Sequence, residues 1–449
     1  MRPTIAFVLF FIATSAAAAR PELIVDIDFN DEVIIRPEPI TAAEVEQLVR
    51  DLHAQGTQTL LLRMGYLGYL PYRTKLGYPI GFDAEHARRH PFSRNLDSKK
   101  LEQFIESRQR DNARYRKVIE TFNPPEVFIR VGHELGMKVV LWIDIFDDGY
   151  SGHRSKFIDE HPHCQWTARD GKTRFEGLIS YAWPESRAFR LAQAKELLDL
   201  GADGIHCSTS AHCRHLPNVQ EDDFYGFEEP VVAEYRNRYG VDIRTAADFD
   251  KEAWHTVKGE FMNRLYRELA EVCHRRGKEF WVGLQLGEYT HLAADPYFGK
   301  NVVARYRNLW QDLVDQKIAD AFIVGDYEIC STPDHAYWKA KALKPEPGDD
   351  LFAWAAGYYQ PHCKGKTKLY LFGEWLPGST EALDTRLAFW AAKVLAGEFD
   401  GIDLHEAMNF EKTPRGMELL GRMRQRLDGK EVPPLRVESQ GSRVESQAP

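Results

Sequence analysis

The sequence lacks the features that mark several large functional classes. Its 6 cysteines in 449 residues, at positions 164, 207, 213, 273, 330 and 363, are too sparse for the dense disulfide framework that staples small exported domains. Cys207 and Cys213 are the pair to check first, with unpaired buried thiols as the alternative. Charge of one sign is also missing. The 58 Lys and Arg are mixed with 67 Asp and Glu for a net charge of -9, and with no basic stripe a nucleic-acid partner is excluded. No Gly-rich phosphate loop follows the first strand-like segment, which removes a dinucleotide-binding sheet. No G-x-S-x-G elbow is present, which removes the serine-hydrolase arrangement. No H-E-x-x-H occurs, and no H-x-H follows the first strand. The groups His206, Cys207, His212, Cys213, His215 and His161, His163, Cys164 therefore fit no catalytic zinc scheme. They read as loop residues that bind substrate or cap backbone groups, and neither a metal nor a cofactor is expected.

What is present begins with an export signal. Arg2, an apolar run from Ile5 to Phe11 and the small-residue tail Ser15-Ala16-Ala17-Ala18-Ala19 follow the order of a secretory signal peptide, with cleavage expected after Ala19. The apolar run is too short to span a bilayer, which takes roughly 20 residues, and no later stretch would serve. The expected product is secreted or periplasmic. Residues 20–430 form the expected folded unit. Residues 431–449 repeat Arg-Val-Glu-Ser-Gln and read as a disordered tail.

Within 20–430, strand-like and helix-like segments alternate, the signature of βα units around a parallel sheet. Strands are predicted over 23–29, 59–64, 138–146, 204–208, 279–284, 319–325, 368–372 and 401–404. Helical spacing of apolar residues predicts helices over 41–54, 98–122, 126–135, 185–200, 254–276, 302–315, 380–395 and 416–427. Thr41 with Glu44 reads as a capping box, and Gly56, Gly136, Gly201 and Gly277 stand where helices end. Eight such units predict a single (β/α)8 barrel, a TIM barrel of the α/β class. Its two long loops follow strand two (65–125) and strand four (209–252), on the C-terminal face where such barrels carry their sites.

Polar residues just past the strand ends are therefore the candidates. They include Asp26 and Asp28 after strand one, Arg63 after strand two, and Trp142, Asp144, Asp147 and Asp148 after strand three. His206, Ser208 and His212 follow strand four. Glu288 and Tyr289 follow strand five, Asp326 strand six, Glu374 and Trp375 strand seven, and His405 and Glu406 strand eight. Crowded carboxylates raise one another's pKa, so one can stay protonated while its neighbour is ionised. Glycoside hydrolysis needs such a pair. Glu374, Asp326 and Glu288 are the expected catalytic carboxylates. Asp144, Arg63, His206, His212, His405 and Glu406 are expected to position hydroxyls, and Trp142, Tyr289 and Trp375 to stack on sugar rings.

Several motifs carry a family likeness. Asn123-Pro124-Pro125-Glu126-Val127 is followed by His133-Glu134-Leu135-Gly136-Met137-Lys138 and by the strand ending Trp142-Ile143-Asp144. His161-Pro162-His163-Cys164-Gln165-Trp166 then precedes Asp170-Gly171-Lys172, and Tyr181-Ala182-Trp183-Pro184-Glu185 precedes Gly201-Ala202-Asp203-Gly204-Ile205. In this order they resemble the bacterial glycosyl-hydrolase-like barrel proteins described as "family 10 glycosylhydrolase-like". The resemblance implies a (β/α)8 barrel, export and a carbohydrate substrate. Phe372-Gly373-Glu374-Trp375 also resembles the strand-seven end at which the large retaining clan of sugar-cleaving barrels carries a nucleophilic glutamate. One departure stands out. Asp203-Gly204 is followed by Ile205-His206-Cys207-Ser208, with no carboxylate where related barrels often carry one. The alternative to a hydrolase is accordingly a carbohydrate-binding protein on a barrel that has lost its catalytic pair.

Overall fold

The computed structural model describes residues 20–90, 96–209, 222–292, 304–325, 351–374 and 379–435, with Leu351 and Glu374 described in their backbone alone. Eight parallel strands close into one barrel: β1 (Glu22–Ile27), β2 (Thr59–Arg63), β3 (Lys138–Asp144), β4 (Gly204–Ser208), β5 (Glu279–Leu284), β6 (Ala321–Val324), β7 (Lys368–Glu374) and β8 (Gly401–His405). Each pairs with its neighbour in sequence, and β8 closes on β1 with Glu22 opposite Gly401. This ring of strands, each followed by a helix, is a (β/α)8 barrel.

Strand alternation sorts the side chains. In β1, Leu23, Val25 and Ile27 belong to the large core shared with the helices, while Ile24 belongs to the barrel interior. The interior is layered. At the N-terminal end, Glu22 accepts from Thr59 Oγ1 at 2.6 Å and Tyr370 OH at 2.5 Å, and lies 3.3 Å from Lys368 Nζ. Beside it Lys138 Nζ donates to both oxygens of Glu279 at 2.9 Å. The middle is apolar, filled by Ile24, Leu61, Val140, Trp142, Trp281, Ile323, Tyr370 and Phe372. Above it, at the C-terminal end, come charged residues again, and these form the candidate site.

The outer helices obey their caps. Thr41 and Glu44 form the reciprocal capping box at the start of the helix Ala42–Ala54, a cap of the kind that contributes about 1 kcal/mol. The long helix of the strand-two loop runs Ser98–Thr121. Several regions depart from the sequence reading: Phe29, expected in strand one, starts the helix Phe29–Ile34, and a helix over Glu229–Tyr239 lies within the strand-four loop. Residues 305–307, placed in a helix, instead form a strand antiparallel to Tyr289–His291, and the helix starts only at Trp310. Arg305 is held there by Asp223 through two bonds of 2.9 Å, with Tyr306 buried between its neighbours. A helix over Leu351–Cys363, with Pro361 inside it, was not read from the sequence. Among the described cysteines, 164, 207, 273 and 363 are buried free thiols; Cys213 and Cys330 lie outside the described residues. Among the described residues no helix is long and apolar enough to cross a membrane. The expected signal peptide lies outside them, as does the tail from 436 onward.

Candidate active site

Arg63, the last residue of β2, organises the mouth of the barrel. It is buried, and its Nε donates at 2.5 Å to Asp144 Oδ2, at the end of β3, and at 3.0 Å to the Gly65 carbonyl. Nη1 donates at 2.5 Å to Asp28, and Nη2 at 3.1 Å to Asp147. Asp147 also accepts from the Leu67 backbone N–H at 3.1 Å. The guanidinium plane lies 4.9 Å from the Tyr66 ring centre and 5.1 Å from that of Trp142. A rigid fork of donors suits this clustering of carboxylates. Asp144 keeps its Oδ1 without a hydrogen-bond partner. Burial pushes its pKa well above the usual carboxylate range, the opposing pull of Arg63 notwithstanding.

Next to this clamp lies a denser acidic group. Asp26, on the inward face of β1, accepts from His405 Nδ1 with both carboxylate oxygens at 2.8 Å. His405 ends β8 and is joined to Glu406 by a cis peptide bond, with His405 Nε2 lying 4.0 Å from Glu406 Oε2. Asp28 caps the short helix Phe29–Ile34, accepting from the Asn30 N–H at 3.0 Å, and the first turn of that helix carries Asp31. Asp28, Asp31 and Glu406 offer oxygens within 4.8 Å of one another, as do the ligand atoms of Asp26, His405 and Glu406. Burial, together with the charges of Asp28, Asp31 and Asp26, outweighs His405 and raises the Glu406 pKa to about 9. Asp26 and Asp31 are also raised, again chiefly by burial. Glu406 is therefore a carboxylic acid that keeps its proton at neutral pH while packed against other carboxylates, an arrangement suited to general acid catalysis. Either three-residue set could also hold a divalent cation in place of the proton, as could His163, Cys164 and Glu185 farther away.

The residues expected from sequence are only partly brought together. Arg63 and Asp144, which end β2 and β3, and His405 and Glu406, at and just past the end of β8, are joined through Asp28. His206 and Trp142 lie inside the barrel, buried and edge-on to each other at 6.1 Å; burial pushes the His206 pKa down to about 3. Tyr289 and Glu288 sit outside the cluster. Tyr289 donates to Glu252, and Glu288 is exposed, 3.8 Å from Arg307. Glu374 is the last residue of β7, in register with His405 on β8. His212, Asp326 and Trp375 lie outside the described residues. The sequence reading noted Asp26 and Asp28 at a strand end but placed the catalytic roles elsewhere, and it missed Asp31. The available signal was the run Asp26-Ile27-Asp28-Phe29-Asn30-Asp31, in which a strand passes through an N-cap into a helical turn.

No protein-family model and no curated protein matches this sequence, so the family likeness stands on its motifs. Among solved structures, the chain is similar to a β-galactosidase from the psychrophilic Marinomonas ef1, with 11% identity, a TM-score of 0.49, and coverage of 90% of this chain and 59% of that one. It is similar to the catalytic domain of β-amylase from Paenibacillus polymyxa at 11% identity and a TM-score of 0.49, covering 93% and 100%. An α-amylase from Lactobacillus plantarum shows 13% identity and a TM-score of 0.44, covering 91% and 80%. The chain thus spans about three fifths of the β-galactosidase chain. The barrel assignment itself rests on the strand order.

Proposed function

We propose that this protein hydrolyses glycosidic bonds, with Glu406 as general acid and Glu374 as its carboxylate partner. The observation that carries the reading is the packing of Glu406 among the carboxylates of Asp26, Asp28 and Asp31 at the mouth of the barrel, where burial and their charge raise its pKa. Glycoside cleavage needs a proton for the leaving oxygen and a carboxylate that attacks, or activates water, at the anomeric carbon. Glu374 ends β7 in register with His405, the residue before Glu406, which supports their pairing. Asp26 holds His405 in place, and Arg63 fixes Asp28 and Asp144, so the acid sits in a wall whose other charges are mutually anchored. Export through the N-terminal segment belongs to the same proposal and suits a polymeric or oligomeric carbohydrate outside the cytoplasm.

The test is a panel of aryl glycosides and oligosaccharides assayed against the wild type, Glu406→Gln and Glu374→Gln. Loss of the acid should affect substrates with poor leaving groups far more than dinitrophenyl glycosides, which depart without protonation. Glu374→Gln should abolish turnover of both. Oligosaccharide binding with no cleavage by the wild type would instead favour a carbohydrate-binding barrel, in keeping with the carboxylate-free end of β4.

A further inference from the structure

A cavity is formed by the loops that follow β2 and β3. Its volume is about 330 Å³, within the roughly 300–1,000 Å³ of small-ligand sites. The short helix Ala84–Arg89 contributes His86 and Arg89 and is followed by His90. The hairpin Gly149–Tyr150/His153–Arg154 contributes Arg154, and the hairpin Gln165–Thr167/Arg174–Ile179 contributes Arg174 and Glu176.

The charge of this lining is unbalanced. Three guanidiniums face one carboxylate, and that carboxylate is already engaged. Glu176 accepts from Arg154 Nη1 at 3.0 Å and is bonded to His86 Nε2. Burial alone would raise its pKa, but His86 and the neighbouring cations bring it below the usual range, so it stays ionised and committed. Arg154 is further occupied by Asp159 at 2.7 Å. Among the described residues Arg89 pairs with the solvent-exposed Glu85 alone, at 3.5 Å, and no carboxylate pairs with Arg174. Burial pushes the His90 pKa down to about 4, so the excess positive charge at neutral pH belongs to arginine. Gln165, also in the lining, spends its amide on the Pro162 carbonyl and the Gly177 N–H, which fixes the hairpin beneath.

The cavity is tied to the acidic cluster. Its first hairpin begins at Gly149, two residues after Asp147, which holds Arg63. The ring of His153 lies 5.4 Å from that of Tyr69, whose hydroxyl donates to Asn30 at 2.7 Å, two residues beyond Asp28. Guanidiniums with unspent donors in a concave site recognise oxyanions in paired, planar geometry. We propose that this cavity is a subsite for an acidic substituent, a uronate carboxylate or a sulfate ester, on the saccharide that the barrel cleaves. The proposal deepens the glycosidase reading and rests on it for the word "cleaves" alone.

Calorimetric titration of the full chain tests it with four probes: an oligogalacturonate, a sulfated oligosaccharide, the same oligosaccharide desulfated, and inorganic sulfate. One charged oligosaccharide is expected to bind about ten-fold or more tightly than the neutral one, with the ratio shrinking as salt rises. Which of the two prevails distinguishes carboxylate from sulfate. Arg174→Ala and Arg89→Ala, both at exposed positions, should each cut that preference, and Arg174→Lys should restore only part of it. Equal affinity for charged and neutral sugars, binding of inorganic sulfate only, no binding of any probe, or preference unaltered by both alanine variants would each overturn the subsite. Because the readout is binding, its result is independent of turnover. Charge preference without cleavage of any glycoside removes the hydrolase reading and leaves the subsite standing, whereas cleavage without charge preference does the reverse.

Discussion

Replacing Arg63 by methionine tests the electrostatic logic of the barrel mouth. The side chain is 2% exposed and its fork reaches Asp28, Asp144 and Asp147 at 2.5, 2.5 and 3.1 Å. Methionine fills much of the volume but leaves three buried carboxylates without their common counter-charge. Removing one partner from a buried ion pair costs about 3–5 kcal/mol, and this change strips three acceptors at once, so the upper part of that range is expected at pH 7. Domains are typically stable by only about 5–15 kcal/mol, so the variant should fold with a much reduced urea midpoint. The pH dependence gives a second handle. Burial raises the folded-state pKa of Asp144 even in the wild type. A carboxyl raised in this way favours folding below its unfolded pKa and loses that contribution as pH climbs through the folded value. Without Arg63 the folded pKa should rise further, so the gap between variant and wild type should narrow as pH falls from 7 toward 4. Adding Asp144→Asn to the variant should recover part of the loss, a coupling of about 0.5–3 kcal/mol. Urea titrations of the wild type, Arg63→Met, Asp144→Asn and the double variant at pH 7 and pH 4 read all three effects. A loss below about 1 kcal/mol at pH 7, or a gap independent of pH, would show that Arg63 is not the counter-ion of this cluster.

Glu406→Gln should lower kcat on unactivated glycosides by about 10²–10⁴-fold; because burial raises the Glu406 pKa to about 9, the alkaline limb of the wild-type profile should lie near that pH and vanish in the variant, and pH–rate profiles check both. Lys258 is buried with its Nζ 3.5 Å from the Trp254 ring centre and no hydrogen-bond partner. Burial depresses its pKa to about 7, so its cost to stability is smallest above the unfolded value and grows as pH falls toward 7. Lys258→Met should therefore raise the urea midpoint more at pH 6 than at pH 10. Gly68 has φ of +94°, and a Cβ there would stand 2.4 Å from the Asp148 carbonyl oxygen and the Ser155 nitrogen. Gly68→Ala should cost about 1–3 kcal/mol and, by shifting the loop that holds Asp147, lower activity as well, read by paired stability and turnover measurements. Intact-mass analysis of exported protein should find Arg20 at the N-terminus, and retention of residues 1–19 would count against the signal peptide.

The barrel was legible because its strands are short apolar runs alternating with helical stretches, and because caps such as Thr41 with Glu44 and the glycine at 136 mark helix ends locally. The antiparallel pair Tyr289–His291/Arg305–Arg307 was not, since Arg305 is drawn out of a helix by Asp223, which is 82 residues earlier. Glu406 was legible as a polar residue past a strand, but its protonated state was not. That state depends on Asp28 and Asp31, which approach only because β1 closes on β8 and then turns into a helix. Asp144 and Arg63 read as substrate ligands by position; the distances reveal that Arg63 spends its donors on Asp144, Asp28, Asp147 and the Gly65 carbonyl. Strand-end position identifies residues that can reach a ligand, and only three-dimensional charge balance separates those that anchor from those that react.

The Glu22 and Lys138 layers at the opposite end bear on traffic through the molecule. Glu22 is bound by Thr59, Tyr370 and Lys368, Glu279 by Lys138, and a dry band of aromatic and aliphatic side chains lies above them. The barrel axis is stoppered, so water cannot arrive at the acidic cluster from behind. The hydrolytic water, the incoming chain and both departing products would all share the one doorway at the loop face. For the proposed hydrolase the order of release would then matter: a fragment that lingers there would obstruct solvent as well as the next substrate, and inhibition by product would follow from the shape of the barrel.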